Sequence, residues 1–431
     1  MFQRSKIIIA LLFIGLISVL IFLKKEESCI KINAIANNIN IKAYRIHMKS
    51  NSVLYMKCKF KNAGVMHNDS SEHGISAIVG GLLCRKINGL SPEGTTEKLR
   101  SLGIGKLDVS AFGDDFTISF YVLKDKAEEA LQFLAPVFSQ IEFSKNDLEF
   151  IKERYPTVLE LETAHPLKLL LEKLMSMLYQ NHNYGRNSTG TAQAIASITE
   201  DNIREFLKLH FSKSKLEFLV VGDVSSFEVE GYLETLFSKL SKKIEETTEK
   251  KNELSSTTVS SEKDAIIHKK SMDNIVGVVS GIRIDDLSEK EIAAAYIIIE
   301  TLFDNKVGDF VQGLREKNIA YSVGFNFLRR KFSNIFYFYV YVNKEDLVNF
   351  QEYLTQKMAQ YEQEFFRGKD VHCVQNYMVA QSKNGFSNMM DLDEKIKRRS
   401  LPFSEVTQTV LMDTAKKLFN KLQLRTVYIF Q

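Results

Sequence analysis

The sequence predicts an α+β fold: two homologous domains, each a mixed or antiparallel sheet with helices packed on it, following an N-terminal transmembrane segment. Three observations carry this. The 431 residues exceed what one hydrophobic core organises. A polar stretch, 241–263, divides the rest into parts of similar length, and those parts repeat one another's motifs in order. Period-2 runs such as Phe116-Thr117-Ile118-Ser119-Phe120 mix with helical apolar runs, without strict strand–helix–strand alternation.

Residues 1–28 read as a signal anchor or a signal peptide. Arg4 and Lys6 precede the run 7–23, seventeen residues without a charge, which Lys24-Lys25-Glu26-Glu27 closes. In a helix that run reaches roughly 26 Å, close to the about 30 Å of a hydrocarbon core when flanking lysines snorkel. The basic N-terminal flank keeps that end cytoplasmic and exports the rest. The run exceeds the usual signal-peptide core and no A-x-A-like site precedes the charges, which favours an uncleaved anchor.

The first domain, 29–240, opens on a strand (VLYMKCKF from Val53), a polar loop and a helix from Gly74. Leu99-Arg100-Ser101-Leu102-Gly103-Ile104 follows, then the strand FTISFYVL from Phe116 and a charged helix start at Lys124-Asp125-Lys126. After FSKND at Phe143, this half closes on the strand LEFLVVGDV from Leu216. The stretch 241–263 has no aromatic and almost no apolar residue, and reads as a solvated linker. The second domain, 264–431, repeats the plan. IVGVVSGIRI, DDLSEKE and IAAAYIIIETLF give strand, loop and helix. Leu314-Arg315-Glu316-Lys317-Asn318-Ile319 answers the motif at Leu99, IFYFYVYV from Ile335 answers FTISFYVL, and FRGKD at Phe366 answers FSKND; RTVYIF from Arg425 ends the half.

Composition narrows the function. A net charge of +4 is too near balance for a nucleic-acid binder. The four cysteines form no C-x-x-C pair, which argues against a zinc ribbon, a thioredoxin-type site and a dense disulfide scaffold; Cys58 with Cys84 stays open as a disulfide. No phosphate-binding loop, G-x-G-x-x-G or G-x-S-x-G occurs. The clusters Leu328-Arg329-Arg330-Lys331 and Lys395-Ile396-Lys397-Arg398-Arg399 read as solvated faces or contacts with anionic lipid.

Three motifs, in order, carry a resemblance. His182-Asn183-Tyr184-Gly185-Arg186 with Gly190-Thr191, Leu219-Val220-Val221-Gly222-Asp223-Val224, and Leu314-Arg315-Glu316-Lys317-Asn318-Ile319-Ala320-Tyr321-Ser322-Val323 resemble segments of the short-chain insulinase/pitrilysin zinc metallopeptidases. The likeness covers nearly everything after about residue 40. It implies the family's clam-like pair of α+β domains.

In that family a His-x-x-Glu-His helix binds zinc and activates water. Anchored on Gly74-Ile75-Ser76, its slots fall on Ala77, Gly80 and Gly81, none of which carries a donor. No other pair of histidines has the spacing, so no metal and no catalytic residue are assigned to this chain. His67, Asp69, Glu72 and His73 read as a solvated loop capping the helix, and Glu160 or Glu162, at the family's third-ligand position, as a surface carboxylate. Each of Gly80 and Gly81 costs about 1 kcal/mol in a helix relative to alanine. A packed neighbour filling the former metal cavity accounts for them better than an open groove.

The resemblance also places an Arg/Tyr pair at Arg315 and Tyr321, which in two-subunit members reaches across the chamber to hold the substrate backbone. A guanidinium and a phenol both donate to peptide carbonyls. This segment is one residue shorter than the family pattern. The implied protein is a catalytically inactive subunit assisting a homologous zinc-bearing partner, by heterodimer or self-association, with peptide as substrate and no nucleic acid. Held by 7–23, it would sit on the bacterial inner membrane with its body in the periplasm, or be periplasmic if cleaved. The alternative is a non-proteolytic scaffold of a membrane complex.

Overall fold

A computed structural model describes residues 29–430 apart from 37–38, 49–50, 68–72, 84, 112, 140, 188, 212–215, 238–256, 270–273, 305–307, 365–370, 384–397, 399 and 421–422. The segment 7–23, most of the stretch 241–263, the FRGKD motif and Lys395-Ile396-Lys397 therefore lie outside the described residues. Among the described residues no helix is long and apolar enough to cross a membrane.

Strands β1 (Cys29–Ala36), β2 (Ile39–His47), β3 (Val53–Phe60), β4 (Asp108–Ser110), β5 (Phe116–Leu123) and β6 (Leu216–Gly222) form one sheet, in the order β1-β2-β6-β3-β5-β4. Strands β7 (Asp264–His268), β8 (Ile275–Ile284), β9 (Ala320–Arg329), β10 (Asn334–Asn343) and β11 (Arg425–Phe430) form a second, in the order β7-β11-β8-β10-β9. Without β1 the two orders are identical. In each, the last strand enters between the first two, parallel to one and antiparallel to the other. The sequence repeat is an architectural repeat. The motif reading opens the first domain at Val53 and so passes over β1 and β2, whose apolar pattern is short: Ile41, Ala43 and Ile46 are its buried residues on β2.

The repeated L-R motif closes the same turn twice. Ile104 N–H donates to Leu99 O (2.9 Å) and Gly103 N–H to Arg100 O (2.9 Å); Ile319 N–H donates to Leu314 O and Asn318 N–H to Arg315 O, both at 3.0 Å. Gly103 has φ 76° and Asn318 φ 53°. These are Schellman ends, in which a left-handed residue stops the helix and satisfies its last carbonyls. Helix starts are equally local. Ser288 and Glu291 form a capping box at Glu289–Phe303, and Thr199 with Asn202 does so at Glu200–His210.

Each sheet has its own core, and a third core joins them. The helix Pro166–Leu178 belongs to the first half but lies on the second sheet: Leu170 and Leu174 are fully buried, reaching the open space at Gly277 and Gly281. Each such leucine contributes about 1.5–3 kcal/mol by burial. The described end of the polar stretch is docked as well, which corrects the expectation of a wholly solvated linker. Ser260 N–H donates to Met177 O (2.7 Å), Arg425 Nε to Ser260 O (2.8 Å), and Thr258 bridges Gln180. Its Ser and Thr residues lack apolar bulk but supply backbone groups that pair with both halves. Cys58 is a free thiol buried in β3; Cys84 lies outside the described residues.

Candidate functional site

The helix Ile75–Leu83 starts at a crossing of two backbones. Gly74 has φ 98°, and a Cβ there would lie 2.4 Å from Ile195 Cδ1; Gly190 has φ 87°, and its Cβ would lie 2.9 Å from Gly74 Cα. Only glycine tolerates both conditions, which explains the Gly190-Thr191 motif. Beside the crossing, His73 Nε2–H donates to Asn187 O at 2.5 Å, and the Tyr155 hydroxyl donates to Thr189 O. Burial lowers the His73 pKa; the Asn187 bond opposes that and Arg186 adds to it. His73 is only 9% exposed. It is a buried anchor, which corrects the solvated-loop expectation for it; Asp69 and Glu72 lie outside the described residues. His67 sits in the short turn Val65–His67.

One side of this helix, with Ile75, Ile78, Val79 and Leu82, enters the first core. Ala77, Gly80 and Gly81 fall on the other side, as i, i+3 and i+4 must. All three line a cavity of about 1060 Å³, whose opposite wall comes from Asn326, Leu328, Arg330 and Tyr337 of the second half. A Cβ on Gly80 would lie 3.0 Å from Val109 Cγ1, and one on Gly81 3.1 Å from Ile151 Cδ1. Val109 and Ile151 stand beside the glycines, Gly81 remains exposed, and among the described residues none fills the space beyond them. The expectation of a filled cavity is corrected: its far wall belongs to the other half of the chain.

The cavity is apolar with charged points. Arg154, Lys168, Arg186 and Arg330 line it, and Glu172 is the one carboxylate among its described lining residues. Lys168 Nζ lies 3.8 Å from Glu172 Oε1, one helical turn apart. Burial raises the Glu172 pKa against the pull of Lys168, and lowers that of Lys168 against the pull of Glu172. The His182–Arg186 motif shapes the wall. His182 Nδ1 accepts from Tyr184 N–H (3.0 Å), and the buried Tyr184 hydroxyl donates to Asp114 Oδ1 (2.6 Å). Asp114 Oδ2 accepts from Lys331 N–H (3.1 Å), and the Arg330 guanidinium sits 5.6 Å from the Tyr184 ring centre. Arg329 and Arg330 are half-buried. That corrects the reading of a solvated face or lipid contact for Arg329 and Arg330, which the end of β9 and the β9–β10 turn carry into the cleft between the halves; Lys331 is exposed.

These residues do not fit zinc. Ala77, Gly80 and Gly81 have no donor side chain, and Glu160 is exposed on the helix Lys145–Thr163, which also carries Glu162. Among the described residues no group of three His, Cys, Asp or Glu could hold a metal ion. Arg315 is exposed on the last turn of the helix Asp309–Glu316, away from the described cavity lining. Tyr321 is the second residue of β9. Ser322 pairs with Tyr341 and Ala320 with Val342, so Tyr321 is the extra residue of a β-bulge. The Asn318 turn thus separates the two by a few residues.

Residues 60–192 match the description "Insulinase (Peptidase family M16)", and residues 197–371 match "Peptidase M16 inactive domain". The chain belongs to the insulinase family. An uncharacterized zinc protease of Rickettsia felis is 23% identical over 214 residues, covering 48% of this chain and 50% of that protein. A probable mitochondrial-processing peptidase subunit beta of Arabidopsis thaliana is 26% identical over 147 residues, covering 34% and 27%. The chain thus spans half or less of these relatives' length. Among solved structures, a protease from Helicobacter pylori has a TM-score of 0.76 at 15% identity, covering 94% of this chain and 99% of that one. The peptidase M16 inactive domain of Pseudomonas fluorescens has a TM-score of 0.74 at 17% identity, covering 93% and 98%. Such likenesses show the shared insulinase-type fold. Within it, sequence reading missed Lys168, Glu172, Asp114 and the cavity role of Arg330. The basic run 328–331 was a signal for the last; the others converge from distant segments and left none.

Proposed function

We propose that this chain is a catalytically inactive, peptidase-like subunit that holds unfolded peptide for a zinc-bearing partner of the same family. One observation carries the reading: Ala77, Gly80 and Gly81, where a zinc-activating helix would present its ligands, line a large two-sided cavity without a donor among them. Lost metal chemistry with retained space is what a holding subunit needs. β4 strengthens it. This is the outer strand of its sheet, and Val109, Ser110 and Ala111 at that edge line the cavity, so an extended peptide has a strand edge to lie against. Arg315 and Tyr321, around one turn, supply further donors to peptide carbonyls. The segment 7–23 tethers the assembly to the outer face of a bacterial inner membrane.

The test is mild-detergent extraction of the full-length protein from its native cells, with subunit identities and zinc content read from the eluate. A stoichiometric partner bearing His-x-x-Glu-His, with about one zinc per pair, supports the reading. Replacing Arg315 with Ala and Tyr321 with Phe should then lower the partner's peptidase activity at least about tenfold with assembly intact. Isolation of the chain alone and zinc-free, or no effect of the double substitution, favours the scaffold role.

A further inference from the structure

Resting on the peptide-holding reading, we propose that the cavity and the groove beside it select acidic peptide segments. The described cations of the cavity, Arg154, Lys168, Arg186 and Arg330, face one carboxylate, Glu172. Arg330 also lines a neighbouring groove of about 530 Å³, so the two spaces meet at its side chain. That groove adds Lys57, Lys59, Lys61, Arg329 and Lys331.

The carboxylates of the groove are already engaged, Glu217 by two of its lysines. Glu217 is held by Lys59 (2.6 Å) and Lys61 (2.5 Å), Asp114 by Tyr184 and Lys331 N–H, and Asp115 Oδ1 accepts from Asn62 N–H (3.2 Å). On the cationic side, Arg329 Nη1 is buried and makes no hydrogen bond. Glu289 is a charged neighbour of Arg329, so the pull on a ligand carboxylate comes from the surplus of cations over carboxylates along both linings. Apolar walls continuous with a cationic groove match a peptide whose apolar run is followed by Asp or Glu. A basic segment would meet like charge, which complementary interfaces avoid. The near-neutral charge of the whole chain argues against a nucleic-acid backbone as occupant.

Fluorescence anisotropy of the full-length protein in detergent tests this, using labelled peptides of one length and apolar pattern that are Glu-rich, Gln-rich or Lys-rich. The Glu-rich peptide is expected to bind about tenfold tighter than the Gln-rich one, with the Lys-rich peptide weakest and the advantage shrinking as salt rises. Arg330→Gln should remove most of that advantage, read as the ratio of Glu-rich to Gln-rich affinity measured on the same variant. Because Arg330 packs on Tyr184, the pair Lys57→Gln, half-buried on β3, and Arg154→Gln, exposed on the helix Lys145–Thr163, serves as a second variant and should reduce it in the same direction. Equal binding of all three peptides, tighter binding of the Lys-rich one, or an advantage untouched by both variants overturns the charge preference while peptide holding stands. Failure of every peptide to bind overturns the holding function itself.

Discussion

Tyr184 donates its hydroxyl proton to Asp114 Oδ1 at 2.6 Å, across seventy residues of sequence. The other carboxylate oxygen accepts Lys331 N–H, so one aspartate joins the wall motif of the first half to the β9–β10 turn of the second. Burial and the Asp114 charge raise the Tyr184 pKa well above the ordinary tyrosine value, so the phenol stays a donor across the physiological range.

Tyr184→Phe removes that bond and should cost about 1–2 kcal/mol, and Asp114→Ala, which loses both, about 2–3 kcal/mol. Denaturant unfolding with an unchanged slope checks both values. Midpoints equal to the parent's would show that the halves are joined by other contacts alone.

Asp147 is an acid-sensitive point of the first domain. Burial alone would raise its pKa, but Lys86 (2.7 Å), the Ser144 hydroxyl and N–H, and Arg85 (2.9 Å) outweigh that and hold it far below the usual carboxylate range. Its folded pKa is depressed, so its contribution is present above the unfolded value of about 3.9 and fades as pH falls below it. Asp147→Asn should cost about 3 kcal/mol at neutral pH. The gap between variant and parent unfolding midpoints should narrow below about pH 4; a gap independent of pH would contradict the ion-pair account.

Gly103 and Asn318 stand at the same left-handed position in the two repeats. Asn318→Gly relieves the backbone penalty and should stabilise by about 0.5–1 kcal/mol; Gly103→Ala should destabilise by about 1 kcal/mol. An added Cβ at Gly103 meets Leu123 no closer than 3.8 Å, so backbone conformation decides the sign. Thermal melts of the two variants moving the same way would refute the equivalence.

Gly81→Leu places bulk where Ile151 Cδ1 is 3.1 Å from the new Cβ and fills part of the cavity beyond. The expected cost in stability is about 1–3 kcal/mol, with a clear loss of peptide affinity. Calorimetric titration with an unfolded peptide measures the second effect; unchanged affinity in a folded variant would move the binding site elsewhere.

Much of the fold was legible because its signals are local. The strands RTVYIF and IVGVVSGIRI have the bounds read from their apolar runs, while the helix read from Ile292 starts three residues earlier, at Glu289, behind the Ser288 cap. The site was legible only on one side. The empty slots at Ala77, Gly80 and Gly81 follow from spacing along one helix. The opposite wall does not, since Arg330 reaches the cavity through strand pairing and the cross-domain seat of Pro166–Leu178. The docking of Ser260 was hidden for a related reason: a polar, backbone-paired segment has the same composition as a solvated one.

The most direct test of the central claim is incubation of the purified full-length chain with a labelled unfolded peptide, reading binding and cleavage together, with and without EDTA. The account predicts saturable binding, peptide recovered intact, and no response to EDTA. Cleavage that EDTA abolishes, or the absence of any binding, would contradict it.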